Sequence, residues 1–415
     1  MTLRTITGIS AAALSAVTLA AALAISPGQT TQAQAPVGPP FKSVPTFSTD
    51  KIGRQGHFYV GGKWEGEPGV ERMRGSMYVE TWVPKEIRYP YPIVFVGEGG
   101  GQSSVQMLMT PDGRPGWAYD FVNRGYTVYM MDFPGRGRSP FIPGVDGTLA
   151  PPRSGPLMEE IWVHSRTPKA GLTQPGPDGH GPTWPQFSKY SAWPSTHPNK
   201  GRMGDPVFDY FAKMEQQSLA GPGAELTVPA LTELLDLIGQ PTIMILHSGV
   251  ASYGWAVADR RPKLVKAIIA AEPVAPPIET TERRSPGTYT PGRLWGLSGV
   301  PMTYDPPAKE ASELKTVKQE KADAPDLIPC VVQQEPARKL VNLASIPVLN
   351  VAGEASYHRP YAHCIAKWLN QAGVKTTFVG LESVGLMGNG HQFMVEKNSD
   401  GIAKYFMTWL EKNVR

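Results

Sequence analysis

The stretch Thr242 to Gly254, TIMILHSGVASYG, sets an apolar run directly against a serine and follows it with a helical pattern. A strand that turns sharply into a helix at a serine lifts the hydroxyl clear of its surroundings. The same turn aims the next backbone N–H, that of Gly249, at a developing oxyanion. A hydroxyl needs a base to become a nucleophile. His391 is the candidate, in the glycine-rich loop Met387-Gly388-Asn389-Gly390-His391 between the last strand pattern and the last helix pattern. In folds built on such a turn the order along the chain is nucleophile, acid, histidine. Other uses of these residues exist: a loop histidine is most often a surface residue, and a serine before a helix is often only its cap. His247 adjoins Ser248 but points away across the turn, while His358 and His363 read as pocket lining or structural residues.

Two acids compete to orient His391. Glu272 follows the strand after the elbow helix, and Glu354 follows the next strand. Both sit at carboxyl ends of strands, where sites are built in open α/β sheets. The elbow departs from the G-x-S-x-G pattern, since Leu246 and Val250 stand where small residues are the rule. A shifted reading, Val250 to Gly254, would make Ser252 the nucleophile, but the apolar run ends at Leu246 and Ser252 falls inside the helix. A second oxyanion donor is expected from the loop Gly97-Glu98-Gly99-Gly100-Gly101-Gln102, whose glycines let the backbone approach a carbonyl closely. A phosphate loop is the other reading of that run, yet no Lys-Ser/Thr follows it. Metal is not implied: no two histidines stand at helical or zinc-protease spacing, and no cofactor is called for.

The elements that must position these residues alternate. Apolar runs at Ile93–Val96, Tyr126–Met131, Thr242–Leu246, Leu264–Ala270, Pro347–Val351 and Thr376–Val379 read as strands, preceded by His57–Val60 and Ser76–Val83. Unbroken apolar runs suit strands covered on both faces. Helical patterns at Pro115–Asn123, Val228–Leu237, Ala251–Asp259, Tyr361–Ala372 and Asp400–Asn413 lie between and after them. The fold class is therefore α/β, a mostly parallel central sheet with helices on both faces. Two stretches break the alternation, about 140–222 and about 274–338, rich in Pro and, in the first, aromatic residues. They read as insertions forming a cap over the sheet.

The chain has 415 residues, 41% hydrophobic and 18% charged, with a net charge of +4 spread without a basic block. That is globular composition, and it gives no reason to expect nucleic acid or an anionic membrane as partner. Residues 1–35 read as a secretory signal peptide: Arg4, an Ala-rich run from Ile9 to Ile25, then Ala33-Gln34-Ala35. An uncleaved anchor is the alternative, although about 17 Ala-rich residues are at the short limit for a span. Residues 36–415 are then one domain, periplasmic or secreted and without a membrane partner, and a homodimer is compatible with it. In an exported chain the two cysteines, Cys330 and Cys364, suggest a disulfide, with buried free thiols as the alternative.

Several segments together resemble the α/β-hydrolase superfamily, and within it the secreted bacterial esterases related to the Alcaligenes esterase 713. They are GGGQSS at 99–104, TPDGRPGWAYDFVNRGYTVYMMDFPGRGRS at 110–139, LHSGVASYGW at 246–255, EP at 272–273, VAGEASYHRPYAHC at 351–364 and GNGHQFMVEKNSDGIAKY at 388–405. The resemblance implies a serine esterase acting on a small-molecule carboxylic ester or lactone. It favours Glu272 as the acid, Gly100 and Gly249 as oxyanion donors and a Cys330–Cys364 bond. Relatives usually carry His where this chain has Glu98, and Gln is common where it has Gly249. Two rival functions follow from these departures and from the fold's versatility: a hydrolase-fold protein that only binds a ligand, or an enzyme cleaving amide or C–C bonds.

Overall fold

The computed structural model describes residues 38–97, 103–163, 185–220, 223–274, 276–281 and 289–414. The expected leader, residues 1–35, lies outside them. The strands are β1 (Ile52–Glu65), β2 (Arg72–Pro84), β3 (Ile93–Gly97), β4 (Val128–Asp132), β5 (Thr242–His247), β6 (Val265–Ala271), β7 (Ile278–Thr281), β8 (Tyr289–Arg293), β9 (Thr316–Lys318), β10 (Val331–Gln333), β11 (Val348–Ala352) and β12 (Thr376–Gly380). The α-helices are α1 (Val105–Leu108), α2 (Trp117–Arg124), α3 (Gly155–Met158), α4 (Pro206–Lys213), α5 (Gly223–Ile238), α6 (Ala251–Arg260), α7 (Ala362–Gln371) and α8 (Ser399–Asn413).

Eight strands form one sheet in the order β1-β2-β4-β3-β5-β6-β11-β12. From β4 to β12 every pairing is parallel. The hairpin β1-β2 adds an antiparallel edge. The sequence of β5 shows why the central strands are apolar throughout: Met244 and Leu246 enter one core, Ile243 and Ile245 the other, and all are buried. On the first face α5, α6 and α7 contribute Leu231, Leu234, Trp255, Ile365 and Trp368. On the second, α2 and α8 contribute Phe121, Val122, Ile402 and Phe406. Each such buried side chain stabilises by roughly 1.5–3 kcal/mol, so packing rather than helix propensity holds the layers together.

The hairpin is longer than its apolar alternation suggests. Its outer end carries Lys63, Glu65, Arg72 and Arg74, where Arg74 bridges Glu65 and Glu225 at 3.1 and 3.0 Å. Ladder bonds there ask nothing of side-chain polarity, so periodicity stopped short of the true ends. Within 140–222 the described residues include α4, which was not expected. Its start is coded locally: Asp205 accepts a hydrogen bond from Val207 N–H, and Pro206 occupies the first turn. Asp205 also accepts from Trp193 Nε1 at 3.0 Å, and Trp193, Phe208 and Phe211 pack into the second core. Within 274–338 two small antiparallel ribbons, β7-β8 and β9-β10, appear in place of irregular chain. A Cys330–Cys364 disulfide ties the residue before β10 to α7. No helix of the described residues is long and apolar enough to cross a membrane.

In the sheet β3 has β4 on one side and β5 on the other, so successive connections leave it in opposite directions. The crevice outside the carboxyl ends of β3 and β5 is where open α/β sheets bind ligands. Ser248 directly follows β5 at that place.

Candidate active site

At the end of β5 the chain makes a single 3₁₀ turn, Ser248–Val250, before α6 begins. Ser248 has φ of 59°, a left-handed conformation that a side-chain-bearing residue adopts only under constraint. Two backbone bonds impose it: Ser248 N–H donates to Glu272 O at 3.1 Å, and Val274 N–H donates to Ser248 O at 3.3 Å. The crowding that usually demands glycines on either side of the serine is relieved elsewhere. Gly254 lies against Leu246, and a Cβ on Gly254 would fall 2.3 Å from Leu246 Cδ2. The small residue stands on the helix instead of the strand, which is how Leu246 is accommodated. A Cβ on Gly249, by contrast, would face open space.

Ser248 Oγ lies 3.0 Å from His391 Nε2, and His391 Nδ1 lies 3.1 Å from Glu272 Oε2. The three expected side chains are thus in one hydrogen-bonded series. Ser252 is not in it, since its hydroxyl donates to Gly249 O at 2.9 Å, in the turn that precedes its helix. Glu354 is not in it either: its Oε2 accepts from Gly388 N–H at 2.9 Å, and Lys189 lies 3.6 Å from its other oxygen. It holds the backbone of the histidine loop rather than the ring. Gly100, the other expected oxyanion donor, and Glu98 beside it lie outside the described residues.

Glu272 is fully buried and, like Ser248, has positive φ, 54°. Besides His391, its carboxylate accepts hydrogen bonds from Gly353 N–H and from the Ser356 hydroxyl. His358 Nδ1 lies 3.1 Å from Pro273 O and 3.4 Å from Glu272 Oε2. Both are acceptors, so this nitrogen carries the proton. The same argument puts the proton of His391 on Nδ1, facing Glu272, and leaves its Nε2 lone pair facing Ser248. Burial pushes the His391 imidazole down to about 3, which keeps the ring neutral. Burial also pushes the Glu272 carboxyl up, against the bonds from Ser356 and Gly353, which favour its charged form.

The histidine loop is fixed from several sides. His247 Nε2 lies 3.1 Å from His391 O, so the residue beside the serine steadies the backbone of His391 and stays off its ring nitrogens. Gly353 packs so closely that a Cβ there would meet Gly390 O at 2.5 Å. Glu396, wholly buried, accepts from Gly390 N–H at 3.0 Å and from Asn389 Nδ2 at 2.7 Å. On the opposite side of the crevice Asp132, at the end of β4, anchors the chain just after the Gly-rich loop. It accepts from Ser103 Oγ at 2.7 Å, Ser104 N–H at 3.1 Å and Arg138 Nε at 2.8 Å. Burial acts to raise the Asp132 carboxyl, but the bonds from Arg138 and Ser104 prevail and hold it below the ordinary range. Sequence reasoning gave Gly353, Ser356, Glu396 and Asp132 no role. Only Asp132 carried a local signal, standing where the strand breaks into Pro134-Gly135-Arg136-Gly137.

Two clusters of the described residues have the composition of a metal site. Glu272, His358 and His391 bring one ligand atom each within 4.8 Å of one another, as do Cys330, His363 and Cys364. The first donor set is engaged in the hydrogen-bonded series above, and the sulfurs of the second are joined to each other.

A fungal protein named probable secreted lipase phiG, from Fungal sp. (strain ATCC 74256), is 40% identical over 358 residues, covering 86% of this chain and 89% of its own. The chain belongs to the α/β-hydrolases, in the same family as that protein. Among solved structures, one described as a novel bacterial esterase superposes with a TM-score of 0.58 at 20% identity, over 89% of this chain and 99% of its own. That likeness speaks for the fold. No family model matches the sequence. For an α/β-hydrolase, a serine at a strained turn after the central strand and a histidine on the loop before the last helix occupy the places the fold gives to chemistry.

Proposed function

We propose that this carboxylic ester hydrolase is a serine enzyme working through an acyl-enzyme intermediate, and that it acts outside the cytoplasm. Ser248 Oγ attacks the ester carbonyl carbon as its proton passes to His391 Nε2. The carbonyl oxygen gains the charge, held by the N–H of Gly249 and, from the Gly-rich loop, that of Gly100. One such donor is worth roughly 2.7–4 kcal/mol at the transition state. The tetrahedral adduct expels the alcohol, which takes the proton from His391, and leaves the acyl group on Ser248. Water then attacks that ester with His391 as base, releasing the acid and restoring the hydroxyl. Glu272 accepts the hydrogen bond from Nδ1–H throughout, fixing the tautomer and stabilising the imidazolium.

The observation that carries this reading is the unbroken series Ser248 Oγ, His391 Nε2 and Nδ1, Glu272 Oε2, at 3.0 and 3.1 Å. A protein that only binds would not need a base in contact with a strained serine, so the series favours chemistry over the binding role. The relative's name and the leader-like residues 1–35 support export, to the periplasm or the medium. The test is turnover of a p-nitrophenyl ester panel, with matched p-nitroanilides, by the mature protein and by Ser248→Ala. Ester turnover at least about a thousandfold above the variant supports the proposal. Equal rates in both, or cleavage of the anilides alone, overturn it.

A further inference from the structure

Arg293 ends β8 in the insertion that follows Glu272, and among the described residues its guanidinium has neither a hydrogen-bond partner nor an ion-pair partner, with Nη1 buried. Arg293 is half-buried, and a guanidinium nitrogen removed from water is normally matched by a carboxylate or phosphate. The acid on the facing strand does not supply the match, since Glu279 pairs with Lys318 at 3.3 Å. Arg293 lines a cavity of about 180 Å³ together with Ser252 and Tyr253 of α6 and Ser298, Gly299 and Val300 of the chain beyond β8.

Two elements lead from that cavity towards the catalytic residues. Ser252 lies one helical turn beyond Ser248 and is bonded to Gly249 O. Arg293 pairs in the ribbon with Ile278, six residues after Glu272. Its charge is also felt at His358, whose ring centroid is 4.4 Å from that of His391. Burial pulls the Arg293 guanidinium below its ordinary value, which an arriving anion would reverse.

We infer that the cavity at Arg293 is a carboxylate-binding subsite beside the ester-cleaving centre, filled by a carboxylate of the substrate or by a free carboxylate such as the product acid. The substrate form rests on the ester-hydrolase reading, and the binding form rests on the cavity alone. A carboxylate would meet the fork of the guanidinium with two parallel N–H···O bonds. On the substrate, it would lie at the far end of an acyl or alcohol chain whose ester faces Ser248.

The experiment has two arms. In the first, glutarate is titrated calorimetrically into the mature protein, Arg293→Gln and Arg293→Lys, each checked for cooperative thermal unfolding. Binding should weaken at least about tenfold in Arg293→Gln and by less in Arg293→Lys, which keeps the charge but loses the fork. In the second, kcat/KM is compared for the mono-p-nitrophenyl ester of glutaric acid and for p-nitrophenyl valerate. A preference of about tenfold or more for the anionic ester, reduced towards unity in Arg293→Gln, assigns the site to the substrate. Glutarate binding that depends on Arg293, without that preference, assigns it to free carboxylates. Failure of all ester turnover would count against the ester reading and leave the first arm to decide the subsite. Absence of glutarate binding together with no anionic preference, or both unchanged in Arg293→Gln, overturns the inference.

Discussion

Replacing Glu272 by Gln should abolish nearly all activity, whereas Glu354→Gln should not. The Glu272 carboxylate receives only donors: Gly353 N–H on the Oε1 side, and the Ser356 hydroxyl, His391 Nδ1 and His358 Nδ1 on the Oε2 side. An amide cannot satisfy both sides. If its NH₂ faces the histidines, His391 must present Nδ1 as an acceptor and turn an N–H towards Ser248, where it can no longer take the proton. If its NH₂ faces Gly353, two donors meet in a buried place, costing about 1–3 kcal/mol and disturbing the loop that packs on Gly390. Carboxylate-to-amide replacement in a serine triad lowers kcat by about 10⁴, or about 5 kcal/mol of transition-state stabilisation. At Glu354 the bond to Gly388 N–H needs only an acceptor, which the Gln carbonyl supplies, so the loss there should stay within about tenfold. The assay is kcat/KM on the best p-nitrophenyl ester, with both variants checked for cooperative unfolding. A Glu272→Gln enzyme within tenfold of the parent, or a Glu354→Gln enzyme as damaged as Glu272→Gln, would refute the assignment of the acid.

Three further outcomes follow from the packing. Gly249→Ala keeps the backbone N–H and puts its methyl in open space, so kcat/KM should stay within about threefold. Gly254→Ala drives a methyl into Leu246 and should cost about 1–3 kcal/mol of stability in urea unfolding; the reverse ranking would undo the account of the elbow. Burial pushes the Glu396 carboxyl up to about 8, so between about pH 4.5 and 8 the folded state keeps a proton that the unfolded chain has lost. Stability should therefore fall as pH rises through that window, by up to about 1.4 kcal/mol per unit, and Glu396→Gln should flatten the trend in urea midpoints; parallel curves would contradict it. The disulfide closes a separation of 34 residues, so Cys330→Ser with Cys364→Ser should lower the unfolding free energy by about 4 kcal/mol. A loss under about 1 kcal/mol would mean the bond does little to restrict the unfolded chain.

What the sequence discloses about this protein follows from how local each feature is. The buried parallel strands are legible because burial on both faces writes itself as a continuous apolar run, as in Ile93–Val96 and Thr242–Leu246. The serine and histidine are legible because each follows a strand or precedes a helix at a recognisable break. Residue type and spacing leave the choice between Glu272 and Glu354 open, since both follow strands in the same way. The distinction lies in which carboxylate the register of β6 against β11 turns towards His391. The supporting partners Gly353, Ser356 and Glu396 are invisible for the same reason, being ordinary residues given meaning by contacts across the fold. The ends of β1 and β2 were missed because they project into solvent, where pairing continues after the apolar pattern stops. Helix α4 was missed inside a Pro-rich stretch, although Asp205-Pro206 is a start signal. The departure from small residues around Ser248 looked like damage in the sequence, and Gly254 makes it an exchange of position.

The most direct test of the central claim is covalent labelling of the mature protein with a fluorophosphonate, read by intact mass and peptide mapping. Stoichiometric modification at Ser248 is expected, lost in Ser248→Ala and slowed strongly in a His391 variant. Modification at Ser252 or another hydroxyl, or none at all in protein that hydrolyses esters, would contradict it.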